Sequence, residues 1–408
     1  MADTNAATVR NTEQLTDELV ERARAIAPAI AARAETSERD RRVADETIAD
    51  VAEAGLFEIL VPQRYGGHEL GISSMVKVMK ALSPLDVSTG WTLAFYMVHN
   101  WMWCLLPEEA QKEIFADGPS RLGPVMVAPT VKAQPEAGGY RINGRAKWGT
   151  GSSHAQWCMV SGIVEDDLPE PVEGQPPRPP AVRMFAMPWS EAKLEDTWRT
   201  SGMAATASHD VIFDNIFIPA HRVMDATPAR SGEAEGAQIH DSSVYTSAFT
   251  PMLCVAALSA IVSGTLGAAG HAVERAKTFL STFSGRTSVD NPALQIRLAK
   301  ADLAAQTASR MIDALAQEIE SDATMPPIPL ENRARQRAMS SHIASICRDA
   351  VTLLAQGSGA SGHMSDSPIQ RAFRDINMAS CHVVFDQDPT MELHGKMLVG
   401  RPPPIILA

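Results

Sequence analysis

Hydrophobic periodicity changes twice along this chain, and that double change limits the fold more than any other feature. Residues 12 to about 115 carry apolar positions at helical spacing, as in Ile48, Val51, Ala52 and Leu56, interrupted by a Pro- and Gly-containing loop at 61–71. From about 123 to 224 the pattern becomes short β-type runs, VMVAP, AQWCMVSGIV, AVRMFAMP and DVIFDNIFIP, separated by turn residues. A polar stretch follows, and from 245 to about 382 Ala-rich helical patterning returns, broken at SDATMPPIPLE and AQGSGASGHMSDSP. The expected architecture is α+β and mainly α. It comprises an N-terminal helical domain over 1–122, a central β domain over 123–235 and a C-terminal helical bundle over 236–408. Within the β domain, EDDLPEPVEGQPPRPP (165–180) is too Pro-rich and acidic to pack and is expected as an exposed hairpin loop.

Composition narrows the partners. A chain of 408 residues that is 45% hydrophobic can bury a sizeable core, while a net charge of -12 argues against binding a phosphate backbone, so no nucleic-acid partner is expected. The first residues lack the order of a secretory signal, and no stretch reads as long and apolar enough for a membrane helix, which makes the cytoplasm the expected location and leaves no membrane partner. Five cysteines without a CxxC pair read as free thiols rather than a disulfide or metal framework. Apolar helical stretches such as MLCVAALSAIVSGTLGAAGHAV exceed what one subunit covers easily, so a homo-oligomer is expected, with a tetramer as its form.

Three ordered segments carry chemistry. GGYRINGRAKWGTGSSHAQWCMVSG (138–162) reads as a hairpin, a polar turn and a strand, and it resembles the "NG…KWxT" segment of the acyl-CoA dehydrogenases. WRTSGMAATASHDVIFDNIFIPAHRV (198–223) is similar to that family's "G-x-x-x-T-x-S-x-D-V" strand and its exit, and AQGSGASGHMSDSPIQRAFRDI (355–376) to its Gly-rich turn and "RD" helix. The resemblance spans roughly 40–400. It implies the acyl-CoA dehydrogenase fold: N-terminal helices, a central β-barrel-like domain and a C-terminal four-helix bundle. It further implies that Trp148 lies by a flavin ring and Thr150 at flavin N5, with Gly151 and Ser152 also at the cofactor, and with Gln356 and Gly359 binding cofactor from a segment that packs against that of a neighbouring subunit. Thr206 and Ser208 are then either near the flavin or substrate, or structural turn residues. An aromatic wall and a hydroxyl beside the redox-active nitrogen suit such a cofactor.

A dehydrogenase of that family needs a carboxylate base, commonly in a late "YEG" segment. Here the segment reads MELHGKMLVG, with His394 before Gly395, and Glu392 is two residues away, roughly 200° around a helix. Two other histidines stand in distinctive settings. His99 lies among Trp91, Phe95, Tyr96, Trp101 and Trp103 in a chain with 5% aromatics, and His382 follows RDINMASC on the expected continuation of a helix. VHNW (98–101), RDINMASCH (374–382) and TGSSHAQW (150–157) resemble segments of the two-component flavin-dependent monooxygenases built on this fold, such as the hydroxyphenylacetate, steroid-phenol, indole and dibenzothiophene oxygenases.

By that resemblance the chain inserts oxygen through a C4a-hydroperoxyflavin, using O2 and reduced FMN, or FAD close behind. A separate NAD(P)H-dependent flavin reductase supplies the reduced flavin, in keeping with the absence of a G-x-G-x-x-G fingerprint. His99, His382 and Thr150 are the expected catalytic groups, and Tyr96, Trp101, Trp103, His99 and His382 the expected lining for a small aromatic substrate. An imidazole with a near-neutral pKa can take the substrate's proton or orient the oxidant. One departure is Thr246, in SVYTSAF, where several relatives have an Arg that balances reduced flavin. The remaining histidines read as surface or packing residues, with His154 and His209 as turn residues near the site. The alternative function is an acyl-CoA dehydrogenase oxidising an acyl thioester with bound FAD.

Overall fold

A computed structural model describes residues 2–165, 181–278 and 288–401, so nearly all of the Pro-rich 165–180 loop lies outside the described residues. The N-terminal part is helical: α1 (Ala2–Asp40), α2 (Asp45–Glu53), α3 (Ile72–Leu82), α4 (Val87–Trp103) and α5 (Glu108–Ile114). Helix α4 starts where Asp86 accepts from the backbone N–H and hydroxyl of Thr89, a capping arrangement that satisfies an orphan donor of the first turn. All of its residues are buried.

Among the described residues seven strands follow: β1 (Val125–Glu136), β2 (Gly139–Gly149), β3 (Trp157–Val164), β4 (Val182–Pro188), β5 (Lys193–Glu195), β6 (His209–Pro219) and β7 (Val223–Asp225). They form one sheet in the order β5-β6-β2-β1-β3-β4-β7, antiparallel except for the β1–β3 pair. Glu136 pairs with Gly139 across a two-residue turn in which Gly138 has φ 84°, a conformation with no steric cost for glycine. The sheet has its own core, including Val131, Ile142, Val160, Phe185, Val211 and Phe213, separate from the larger helical core.

After the short α6 (Ala226–Ala229) come α7 (Phe249–Thr278), α8 (Pro292–Asp322), α9 (Leu330–Gly357), α10 (Pro368–Ala379) and α11 (Gln387–Leu398). Helices α7 to α10 pack on one another as a four-helix bundle, and α7 also covers α3 and α4. Contrary to the sequence expectation, α7 is long and apolar enough to cross a membrane, but 89% of its most apolar window is buried inside the fold. A helix that is apolar all round and wrapped by neighbours is a core helix here. The five cysteines are all free thiols; four are buried and Cys381 is exposed.

Candidate active site

Helix α4 and the segment after α10 bring the two singled-out histidines together. Trp91, Phe95 and His99 recur at four-residue spacing, which stacks them along one face of α4. Trp91 lies on Phe95 with centroids 4.9 Å apart, and Phe95 meets the His99 ring edge-on at 5.3 Å. His382 stands edge-on to both aromatic rings, 5.5 Å from Trp91 and 6.5 Å from Phe95. Phe95 therefore touches both imidazoles. His382 does not continue the helix as the sequence suggested: α10 stops at Ala379, and His382 caps a short 3-10 turn at Val383–Phe385.

The two rings have opposite tautomers. His99 Nδ1 is 2.7 Å from the Gly123 carbonyl, which only accepts, so Nδ1 carries the proton and Nε2 is the acceptor; that Nε2 is buried and has no partner among the described residues. At His382 the Val384 backbone N–H donates to Nδ1 at 3.3 Å, so Nε2 holds the proton and is the donor. Burial lowers the pKa of each to about 4, with the Gly123 contact opposing it at His99, so both are neutral at physiological pH. One face of the site can take a proton and the other can give a hydrogen bond.

Gly123 is required at its position, since a Cβ there would come within 1.7 Å of the Trp157 carbonyl oxygen. The sequence reading missed its role because the link from 99 to 123 is a backbone contact with no residue signature.

The second half of the site is the rim of the sheet. Thr150 Oγ1 lies 3.0 Å from Ser208 Oγ, which lies 2.8 Å from Thr206 Oγ1, making a row of three hydroxyls. The row ends where Thr206 donates to the Met203 carbonyl. Ser152 donates to the Ala207 carbonyl and the Gly151 N–H to the Thr206 carbonyl, which locks the 150–152 turn onto 203–208. Backbone at Trp148 (φ 65°), Met203 (55°) and Ala207 (45°) is left-handed, a costly conformation for residues with side chains, and such strain clusters at functional sites. Beside this row Trp148 presents its indole to the outside, 63% exposed. Tyr96 ties the rim to α4 by donating to the Gly151 carbonyl.

Other expected site residues fall elsewhere. The lining assigned to Trp101 and Trp103 is corrected: both are fully buried, with indole N–H groups donating to the carbonyls of Val244 and Arg121. Tyr96 likewise is fully buried and spends its hydroxyl on Gly151, so Trp91 and Phe95 are the aromatic rings at the histidines. Gln356 is exposed at the end of α9, and Gly359 lines a separate cavity of about 540 Å³ with Arg275, Asn291 and Arg297. Thr246 donates to the Ser243 and Ala323 carbonyls and serves as a tie between segments. His154 bridges Asp45 and Arg42, and His209 Nδ1 accepts from the N–H groups of Thr197 and Trp198. Glu392, the one late carboxylate near the dehydrogenase position, is exposed and paired with Lys396.

These domains are recognisable in other proteins. Residues 13–116 match the acyl-CoA dehydrogenase N-terminal domain and 257–387 its C-terminal domain. A pigment production hydroxylase of Rhodococcus sp. is 34% identical over 94% of this chain and 97% of its own length. The oxygenase subunit HsaA of a flavin-dependent monooxygenase from Mycobacterium tuberculosis is 30% identical over 92% of this chain and 94% of its own. Among solved structures, XiaF from Streptomyces sp., in complex with FADH2 and glycerol, superposes with TM-score 0.87 at 27% identity, covering 97% of this chain and 98% of XiaF. The chain belongs to the flavin-dependent monooxygenases, as an oxygenase component on the acyl-CoA dehydrogenase fold. It is an oxidoreductase that uses reduced flavin and O2.

Proposed function

We propose that this enzyme hydroxylates a phenol-type aromatic ring, with reduced FAD delivered by a separate NAD(P)H-dependent reductase. The observation that carries this reading is the pair of neutral imidazoles with opposite tautomers meeting around one aromatic side chain. His99 Nε2 is a buried acceptor without a partner among the described residues, and an unsatisfied buried group is costly unless a ligand completes it. A phenolic O–H completes it by donating to Nε2, a hydrogen bond that draws the proton away from the oxygen and enriches the ring that an electrophilic oxygen attacks. His382 Nε2–H is the donor that steadies a developing negative charge opposite.

Phe95 lies in edge contact with both rings, so one flat aromatic group spans the distance between the histidines. Reaching both histidines then depends on a flat group of about the size of Phe95's own ring, which favours an aromatic substrate over an aliphatic thioester.

The residues of the rim fit a flavin. Thr150, Ser208 and Thr206 can reorient their hydroxyls to donate to or accept from the polar edge of an isoalloxazine, and the outward indole of Trp148 offers a face to its plane. Bound there, reduced flavin supplies the electrons that activate O2. The preference moves from FMN to FAD because two relatives are named for it: the FADH(2)-dependent resorcinol hydroxylase of Rhizobium sp. and XiaF in complex with FADH2. Relatives named for p-hydroxyphenylacetate and indole-3-acetate support an aromatic substrate. A cytoplasmic tetramer that needs no membrane accords with the acidic composition and the exposed apolar residues of the bundle, Ile296 and Leu303 on α8.

The test supplies the protein with chemically reduced FAD, isotopically labelled O2 and a panel of phenols. A product carrying one labelled oxygen is expected. Rapid reduction of bound oxidised FAD by an acyl-CoA, with no labelled product, would establish the dehydrogenase alternative instead.

A further inference from the structure

The segment that carries Met203, Thr206 and Ser208 is held from outside the sheet. Besides its bonds to the 150–152 turn, it has three grips from the helical parts of the chain. Arg374 on α10 donates to the Ser201 carbonyl at 2.7 Å, Asp375 accepts the Met203 backbone N–H at 2.6 Å, and Ser88 in the first turn of α4 accepts the Ala205 N–H at 3.1 Å. Gly202 sits so close to α10 that a Cβ would come within 2.4 Å of the Arg374 carbonyl oxygen. The loop between these grips has left-handed backbone at Met203 and Ala207, which it would not hold unaided.

We propose that Asp375 is a positioning residue for the flavin-facing rim, gripping Met203 so that the Thr206–Ser208–Thr150 hydroxyl row stays aligned with the histidine pair. The proposal rests on the reading that the flavin lies against that row. Asp375 is only 3% exposed and, among the described residues, accepts a hydrogen bond from the Met203 N–H alone. Its position on α10, seven residues before His382, and the position of Ser88 on α4, eleven before His99, put the same two helical segments in charge of both halves of the site. A shift of either helix moves histidine and hydroxyl row together.

The grip has a charge environment of its own. Facing Asp375 are Asp86 at the start of α4, Arg374 on its own helix and Glu38 from α1, and Glu38 in turn pairs with Arg371 and Arg374. Burial, with the Met203 hydrogen bond opposing it and Asp86 adding to it, pushes the Asp375 carboxyl up to about 7. The ionised carboxylate is the stronger acceptor, so the grip tightens as pH rises through neutrality.

Two variants and two measurements test this. Hydrogen exchange of the 199–209 segment reads the grip without any ligand. Anaerobic titration with reduced FAD, across about pH 5.5 to 8.5, reads its consequence for the cofactor. Asp375→Ala is expected to raise exchange of the segment about tenfold and to weaken reduced FAD about tenfold. Asp375→Asn, whose amide oxygen still accepts the Met203 N–H, is expected to restore protection. It should lack the part of the wild-type pH response centred near neutrality, while the flavin's own ionisation is common to both proteins. Unchanged exchange in Asp375→Ala, or parallel pH profiles for wild type and Asp375→Asn, overturns the proposal. Lost protection with unchanged FAD affinity overturns it as well, leaving Asp375 a stabilising residue only. If the wild type itself binds no reduced flavin, the flavin reading of the rim fails, and the exchange measurement still decides whether the grip exists.

Discussion

Helix α4 and the rim of the sheet hold their functional groups by different physics. Along α4 every residue is buried, and Trp91, Phe95 and His99 are fixed by close packing on all sides. At the rim the backbone is irregular and partly left-handed, and Thr150, Thr206 and Ser208 are fixed by hydrogen bonds to one another and to neighbouring carbonyls. Packing resists displacement but tolerates a missing polar partner poorly, whereas a hydrogen-bonded loop can regroup when one member is lost. The helix should therefore fail in function when a polar atom is removed and in stability when a proton is added. Changes in the rim should be smaller and more local.

The largest effect is expected at the histidines. His99→Ala and His382→Ala should each keep the fold and flavin binding but lower hydroxylated product by about a hundredfold or more, within the range for removal of a general base or a charge-stabilising donor. Reducing equivalents should then appear as hydrogen peroxide, measured beside product with reduced FAD in air. Normal coupling in both variants would make the pair structural and erase the functional half of the contrast.

The next effect is thermodynamic. The His99 pKa falls from an unfolded value near 6.5 to about 4, so between those values the unfolded chain binds more protons than the folded one. The stability His99 confers is complete above about pH 6.5 and is lost as pH falls toward 4, by about 3 kcal/mol in all. Asp375 acts in the opposite sense: its raised pKa means that stability is lost as pH rises from about 4 to about 7. Urea melts of His99→Gln, whose side chain can still donate to the Gly123 carbonyl, should show a flatter acid limb than wild type. An identical limb would mean that the ring is not held neutral by burial.

The join between the two regions comes third. Gly151 has φ 77°, and a Cβ there would lie 2.5 Å from the Tyr96 ring. Gly151→Ala combines overpacking with a disfavoured backbone and should cost about 2 kcal/mol in chemical unfolding. A cost below about 0.5 kcal/mol would show that the rim adapts freely and is not registered on α4.

Much of this arrangement was legible in the residues and some was not. The order of helices, strands and helices followed from periodicity, and VHNW with RDINMASCH picked out both histidines before any geometry was known. Which aromatic rings stand beside them was read wrongly, since composition counts Trp101 and Trp103 equally with Trp91 and Phe95. A four-residue spacing counted from His99 separates Trp91 and Phe95 from Trp101, yet it also includes Trp103, so the ring contacts with the two histidines had to decide. Helix α7 shows the same limit, because apolar residues on every side leave no polar face to mark what covers it. The Asp375 grip joins positions 172 residues apart through a backbone N–H, and no motif records which amide a carboxylate will find.

The smallest expected effect separates the two kinds of support most sharply. Tyr96→Phe removes one hydroxyl that donates to Gly151 and leaves the fully buried ring in place, so the packing of α4 is unchanged. The Gly151 carbonyl loses one of its two donors and keeps the His154 N–H, beside a turn that the Gly151 N–H and Ser152 hydroxyl still hold, so the cost should be about 1 kcal/mol. Ser208→Ala removes the middle of the hydroxyl row, but Thr206 keeps its bond to Met203, and a similar cost is expected. If support at the rim comes from hydrogen bonds that act independently, the double variant should cost about the sum of the two, read from urea midpoints at equal slope. A double variant that costs well below the sum would show one cooperative network running from α4 through Gly151 to Ser208, already broken by the first loss. The rim would then depend on the helix as rigidly as the histidines do.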